Sequence, residues 1–296
     1  MAKFEWSEIF TSIEGEAQYV GHATTYVRFV KCNFTCQGFN NPEMKEITNE
    51  VLGFNPADIK TLDKCPPIEI GCDSIYSWDD RFKHMWHKGD ENELADAIME
   101  KVPHNQWTNP ISKQPTIFSI TGGEPTLRAK FIPALLNTPQ FADLRHLLIE
   151  TNCSVPLKQS FIDELNTWLY SHPERKYRRI TWSNSPKLAV SGEPWDKAIR
   201  PEVAMMQRGT DQRFSDQYFK FVCGADQRDF DEVKKAMAAY YEAGVPEFVE
   251  IYIMPVACTE EQQQEIAAQV ADMCIDHGFI YCHRVHNSVY KNAIGK

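Results

Sequence analysis

The feature that most constrains this chain is an alternation of two patterns. Short β-branched and aromatic runs fall at 24–30, 116–120, 146–150, 179–183, 218–223 and 248–254. Between them lie stretches with apolar residues at helical spacing, at 91–102, 129–136, 158–170, 230–243 and 260–277. Asp90 stands ready to cap the first of these helices. Strand, helix, strand, helix predicts parallel strands joined by helical crossovers, an α/β fold. About six strands are too few for a closed eight-stranded barrel, which leaves an incomplete TIM-type barrel or an open doubly wound sheet. Residues 279–285 offer one more edge strand. No internal repeat and no Ser/Gly-rich linker interrupts the pattern, so residues 1–296 read as one domain. Its one irregular stretch, 37–90, is rich in Asn, Pro, Asp and Gly.

Composition narrows the partners. Lys and Arg number 31 against 41 Asp and Glu, a formal charge of −10. A phosphate backbone would repel such a surface, so direct nucleic-acid binding is not expected. No run reaches the ~18 apolar residues of a membrane span, and the opening MAKFEWSEIF lacks a signal-peptide core. A cytoplasmic protein without a membrane partner is expected. The nine cysteines are an odd number and do not suggest a disulfide framework. Cys153, Cys223, Cys258, Cys274 and Cys282 sit singly by apolar runs and read as small buried hydrophobes. Cys32, Cys36, Cys65 and Cys72 gather after the first strand instead. Thiolates on one loop suit a zinc ion or an iron–sulfur cluster, and the spacing alone leaves both open.

Polar residues punctuate the C-terminal ends of the predicted strands. They include Gly122-Gly123-Glu124-Pro125 after the second, Glu150-Thr151-Asn152 after the third and Ser185-Pro186-Lys187 after the fourth. Ligand chemistry in parallel α/β folds collects on that rim. The paired glycines read either as a strand-to-helix turn or as a place where backbone approaches a ligand closely. Arg28, inside an apolar strand, must face a carboxylate of the protein or of a substrate. Glu14 and Glu16 flank a glycine in what is otherwise a solvated turn.

Taken together, the thiols after the first strand and the GGEP after the second resemble the radical S-adenosylmethionine enzymes. More narrowly, residues 8–16 (EIFTSIEGE), Tyr26-Val27-Arg28-Phe29, Cys32-Asn33, Cys72-Asp73-Ser74, Glu150-Thr151-Asn152 and Ser185-Pro186-Lys187 resemble the 7-carboxy-7-deazaguanine synthase family. That resemblance implies an incomplete six-stranded barrel, a homodimer and a [4Fe–4S] cluster that binds S-adenosylmethionine. It further implies Mg²⁺, an electron donor such as flavodoxin, and a 5′-deoxyadenosyl radical. The radical would start ring contraction of 6-carboxy-5,6,7,8-tetrahydropterin to 7-carboxy-7-deazaguanine, with loss of ammonia, in a queuosine or deazapurine pathway.

Carried over residue by residue, Cys32 and Cys36 match the first two cluster ligands. The third cysteine position holds Phe39, and the family's Cys-Asp-Thr reappears as Cys72-Asp73-Ser74. Residues 37–71 then read as an insertion, since loop closure costs little more for longer loops. Cys72 becomes the third ligand, with Cys65 as rival. Ser74 takes the place of the threonine that helps bind Mg²⁺ and keeps its hydroxyl. Gly71 stands where a bulky residue packs near the adenine. Gly122, Gly123 and Glu124 match the amino-group site of S-adenosylmethionine, and Asn152, Ser185 and Lys187 the nearby cofactor loops. Glu14, Glu16, Arg28 and Glu150 map to the pterin, with Arg28 toward its carboxylate. Glu14 stands where the family has glutamine, and Ala17 where it has glycine. His286 is a further substrate-side candidate, or a surface histidine. Two other readings remain: an activase of a glycyl-radical enzyme, and a zinc-stabilised, non-catalytic binding module.

Overall fold

A computed structural model describes residues 4–172 and 177–295. Among them, nine strands form one sheet: β1 (Phe4–Ile13), β2 (Ala23–Phe29), β3 (His87–Gly89), β4 (Ile117–Gly122), β5 (His146–Thr151), β6 (Arg179–Asn184), β7 (Ser215–Cys223), β8 (Ile251–Pro255) and β9 (Ile280–Tyr281). Their order is β3-β1-β2-β4-β5-β6-β7-β8-β9. From β2 to β9 every neighbouring pair is parallel, whereas β1 runs antiparallel to both β2 and β3. All six expected strands are present, and 279–285 does supply the edge strand β9.

Among the parallel strands β2 to β9 the order never reverses, β3 and β1 being an antiparallel addition at one edge, which overturns the doubly wound alternative, because that fold needs a switch point where the order turns back. The sheet is open rather than closed, and its nine strands exceed the expected six. The additions β1 and β3 escaped notice for a physical reason. A register shift between Trp6 and Glu8 breaks the period-two alternation by which a strand is read. One expected boundary also moves. Phe248 lies outside β8 and is exposed, since pairing with β7 begins only at Ile251.

Alternation along the strands sorts the side chains onto two faces. Val27, Phe29, Phe118, Ile120, Leu147, Ile149, Ile180 and Trp182 bury against one side, where Leu94, Ile98, Leu135, Phe161 and Leu165 complete one core. Phe219, Phe221 and Ile253 continue that side with Phe230, Val233, Met237, Val270 and Cys274. The helices at 91 and 260 start where expected, whereas those read at 129 and 230 begin at Ile132 and Gln227. Asp90 caps Glu91–Met99 in a capping box with Glu93, Asp226 caps Gln227–Glu242, and Thr259 with Gln262 boxes Glu260–His277. The opposite face carries Tyr26, Arg28, Glu150, Ser183 and Lys220, and the short helix Val285–Tyr290 brings His286 and Asn287 to it. They line a cavity of 320 Å³. Among the described residues no helix is long and apolar enough to cross a membrane.

Candidate active site

The 320 Å³ cavity has a thiol end and a carboxylate end. At the thiol end Cys32, Cys36 and Cys72 share one cluster with Phe34, Phe39 and Ala198. Burial pushes the Cys32 thiol up to about 12 and raises Cys36 and Cys72 as well. Thiols so placed are neutral until a metal supplies the positive charge.

The insertion explains how Cys72 arrives here. The Gly71 N–H donates to the Phe39 carbonyl at 2.7 Å, closing the base of the loop at the position where the third cysteine was expected. Gln262 grips both ends, accepting from Asn40 Nδ2 at 2.7 Å and donating to the Glu69 carbonyl at 3.0 Å. The chain in between has its own apolar cluster, and Cys65 belongs to that cluster with Ile68, Ile75, Tyr76 and Phe82. Cys65 does not line the cavity. A zinc tetrahedron of all four cysteines therefore lacks its fourth member at this place. Among the described residues no three His, Cys, Asp or Glu side chains converge on a single-ion site. Cys258, read from the sequence as a plain buried hydrophobe, instead lines the cavity and donates to the Gly71 carbonyl at 3.3 Å.

Next to the thiols, Lys187 donates to Ser185 Oγ at 3.1 Å, and both residues line the cavity. Lys187 has no carboxylate partner among the described residues. Asn152 holds Asn33 Oδ1 at 2.9 Å through Nδ2, which also points to Cys32 Sγ at 4.0 Å. The two glycines are needed for packing. A Cβ on Gly122 would come within 2.3 Å of the Phe29 carbonyl oxygen, and one on Gly123 within 2.3 Å of that of Lys31. They let the end of β4 lie directly against the thiol loop. Glu124 stands behind this wall rather than in the cavity. Its fully buried carboxylate accepts from Thr126 N, Thr126 Oγ1, Thr151 Oγ1 and Asn152 N, at 2.5–3.0 Å. It shapes the cofactor end by holding the 151–152 loop.

The carboxylate end is built on strands. Lys220, 3% exposed in β7, reaches Glu16 at 2.5 Å and Glu150 at 3.6 Å. Burial opposes the Glu16 charge, but Lys220, His286 and Arg284 outweigh it and hold the group down at about 2. Glu150 also accepts from Ser119 at 2.8 Å. Glu14 accepts from Gly15 N at 3.1 Å, Glu16 N at 3.2 Å and the Tyr26 hydroxyl at 2.9 Å. Burial, then repulsion from Glu150, pushes it up to about 8. Arg28 gives Nε to Glu8 at 2.7 Å and Nη1 to Ser74 at 3.1 Å, so the carboxylate it was expected to face is the protein's own. Three of its five N–H donors keep no protein partner among the described residues. His286 is a cavity residue and not a surface one. It packs on Gly15, where an added Cβ would lie 1.9 Å from its Nδ1.

Sequence reading assigned no role in the site to Lys220, Glu8 or Arg284. Lys220 carried the same signal as Arg28, a lone cation in an apolar strand. Arg284 donates to Asp73 at 2.8 Å and also to the Ala257 carbonyl, and nothing in its local pattern marks it.

An apolar nest of three thiols, a glycine-packed strand end and a buried ionic cluster, all on one cavity, suit the class that the motifs resemble, the radical S-adenosylmethionine enzymes. No protein-family model matches the chain. By sequence it is similar to the 7-carboxy-7-deazaguanine synthase of Pyrobaculum aerophilum, 24% identical over 289 residues, which span 98% of this chain and 96% of that protein. By fold it is similar to QueE from Escherichia coli, with a TM-score of 0.52 and 14% identity over 96% of this chain and 95% of that one. The second likeness speaks for the fold alone. The resemblance to a radical S-adenosylmethionine enzyme of the 7-carboxy-7-deazaguanine synthase type is borne out.

Proposed function

We propose that the protein converts 6-carboxy-5,6,7,8-tetrahydropterin to 7-carboxy-7-deazaguanine by a ring contraction with loss of ammonia. The observation that carries this reading is one cavity with three thiols at one end and a cation-rich carboxylate cluster at the other. Cys32, Cys36 and Cys72 would hold a [4Fe–4S] cluster, and they fit it, being three thiols of one apolar nest. When bound with S-adenosylmethionine, the cluster supplies the electron that yields a 5′-deoxyadenosyl radical. Lys187, free of a carboxylate, would bind the carboxylate of S-adenosylmethionine, with Ser185, Asn152, Gly122 and Gly123 shaping the surrounding wall. Arg28 turns its spare donors to the substrate carboxylate. Glu16, Glu150 and His286 line the remaining substrate end, and Lys220 fixes the two carboxylates in place.

Mg²⁺ does not fit the residues present. The Ser74 hydroxyl already accepts from the Arg28 guanidinium at 3.1 Å, and Asp73 is shared between Ser74 and Arg284. A dication there would lie against fixed positive charge. The unreversed order of the parallel strands β2 to β9, with the long helices on one face and the cavity on the other, supports an incomplete barrel built as one domain with an insertion at 37–71. A homodimer and a flavodoxin-type donor rest on the resemblance alone, and a cytoplasmic location on the resemblance and the sequence pattern.

The test is an anaerobic assay of iron–sulfur-reconstituted protein with S-adenosylmethionine, a strong reductant and the carboxytetrahydropterin, with and without Mg²⁺. A product of the mass of 7-carboxy-7-deazaguanine is expected. Formation of 5′-deoxyadenosine without it would retain the radical chemistry and overturn the substrate. No iron uptake and no cleavage would overturn the whole reading.

A further inference from the structure

A second guanidinium stands across the Asp73–Ser74 pair from Arg28. Arg28 Nη1 donates to Ser74 Oγ at 3.1 Å, and Ser74 Oγ donates to Asp73 Oδ1 at 3.2 Å. From the other side Arg284 Nη1 donates to Asp73 Oδ2 at 2.8 Å. Arg284 lines the cavity and is 7% exposed. Three bonds hold it there. Its Nη2 donates to the Ala257 carbonyl, its backbone N–H to Gln263 Oε1 at 2.9 Å, and the N–H of Val285 to the Gly15 carbonyl at 3.0 Å.

These bonds leave part of the cation unanswered. Nε is buried and meets no acceptor among the described residues. Nη1 and Nη2 each carry a second N–H beyond the bonds to Asp73 and Ala257. Asp73, the partner of its ion pair, is half-exposed and also accepts from Ser74. A buried cation so weakly compensated attracts a further anion from whatever fills the cavity.

We propose that Arg284 stands in for the Mg²⁺ that the family resemblance implies: with Arg28 it clamps the substrate carboxylate, so that binding needs no dication. This deepens the pterin reading and rests on it. Mg²⁺ takes six oxygens in a near-octahedral shell, and the oxygens at hand on Asp73 and Ser74 already accept from guanidinium groups. A guanidinium supplies its charge without that shell, through a planar fork that matches carboxylate oxygens. Arg284→Gln removes the charge and frees Asp73 Oδ2, which returns part of a metal site. That variant should therefore need Mg²⁺ where the wild type does not. A residue that merely anchored the helix Val285–Tyr290 would show no such exchange.

The test uses the iron–sulfur-reconstituted protein with S-adenosylmethionine and no reductant, so that nothing turns over. Affinity for 6-carboxytetrahydropterin is measured anaerobically, once in EDTA and once in Mg²⁺. Wild-type affinity should be the same in both. Arg284→Gln should bind about ten- to hundredfold more weakly in EDTA, the worth of one charge-assisted hydrogen bond, and recover most of the loss in Mg²⁺. If that variant fails to fold, Asp73→Asn decides with the wild type. It takes away the carboxylate a metal would need and the counter-ion of Arg284, so pterin affinity in EDTA should rise several-fold. Tighter wild-type binding in Mg²⁺ than in EDTA overturns the proposal and leaves the pterin reading standing. So does an Arg284→Gln that binds as the wild type does in EDTA, a loss that Mg²⁺ does not restore, or an Asp73→Asn that binds more weakly. A wild type that binds no pterin in either condition overturns the pterin reading itself.

Discussion

The two ends of the cavity are built in opposite ways. The thiol end stands on loops and is apolar. Cys32 and Cys36 follow β2, and Cys72 comes in from the far side of an insertion tied at Phe39 and Gly71. Without metal it carries little charge. The substrate end stands on the rungs of the sheet and is ionic, with Arg28 on β2, Glu150 on β5 and Lys220 on β7. Loop-built thiols can adjust to a ligand that supplies most of the binding energy. Charges held on strands are pre-organised, as recognition of a small polar substrate requires. Changes at the first end should therefore abolish a cofactor and spare the fold, and changes at the second should strain the fold itself.

The largest expected effect is at the thiol end. Cys72→Ala should prevent cluster assembly, read as iron bound per chain after anaerobic reconstitution and as loss of visible absorbance. Cys65→Ala, in the separate insertion cluster, should retain full iron. The reverse result would move the third ligand to Cys65. Unfolding midpoints of the metal-free proteins should shift little with Cys72→Ala, because its thiol is packed at a cavity wall.

At the other end the fold should give way. Lys220→Met leaves Glu16 buried beside Glu150 without its ion-pair partner, a change that costs about 3–5 kcal/mol when one partner of a buried pair is removed. Urea unfolding measures it, and adding Glu16→Gln should recover a good part. An unstable single variant that the second substitution fails to improve would mean that Lys220 acts by packing alone. The wild-type pair has a pH signature as well. Burial notwithstanding, Glu16 is held at about 2, so its stabilisation is present above ~4.5 and lost as the pH falls toward 2.

Legibility divides along the same line. The thiols, the glycine pair and Arg28 could be read because each is a residue type out of place for its pattern. The six parallel strands could be read because apolar runs and caps repeat. Glu124 was read as a contact to the cofactor, yet its four hydrogen bonds all go to protein, and only the tertiary approach of Thr151 and Asn152 reveals that. Arg284 lies more than two hundred residues from its partner Asp73, a pairing that no local pattern encodes. β1 stayed hidden behind its bulge, although it supplies Glu8, which holds Arg28.

Glu14 sharpens the contrast within the ionic end, because its proton affinity is shifted the opposite way from that of Glu16. The folded protein keeps a proton on Glu14 that the unfolded chain releases near pH 4.5. Between there and about 8 the native state binds more protons, so stability falls as pH rises, by at most ~1.4 kcal/mol per unit. Glutamine does not titrate. Glu14→Gln should match the wild type most closely at pH 5 and gain on it steadily up to pH 8, as seen in urea midpoints of the ligand-free proteins. Parallel pH profiles would place the proton elsewhere in the Glu14, Glu16 and Glu150 group.

The smallest effect tests how the insertion delivers Cys72. Gln262 Oε1 accepts the N–H of Cys258 at 2.8 Å and of Thr259 at 3.1 Å besides Asn40, while Nε2 holds the Glu69 carbonyl. Gln262→Ala removes half of the capping box of Glu260–His277, worth about 1 kcal/mol, and water can reach most of the freed groups. Global stability should thus fall slightly. The base of the insertion, though, loses the Gln262 grip at both ends together and keeps the Phe39–Gly71 bond and the contacts of the Cys258 thiol with Asn40 and Gly71. Loss of iron to a chelator should then quicken several-fold, and limited proteolysis should cut first within 41–68. If neither rate changes, the apolar contacts of Ile68, Ile75 and Phe82, with Ile294 packed on them, hold Cys72 in place by themselves. The thiol end would then be as rigid as the substrate end, and its dependence on metal would owe nothing to being built on a loop.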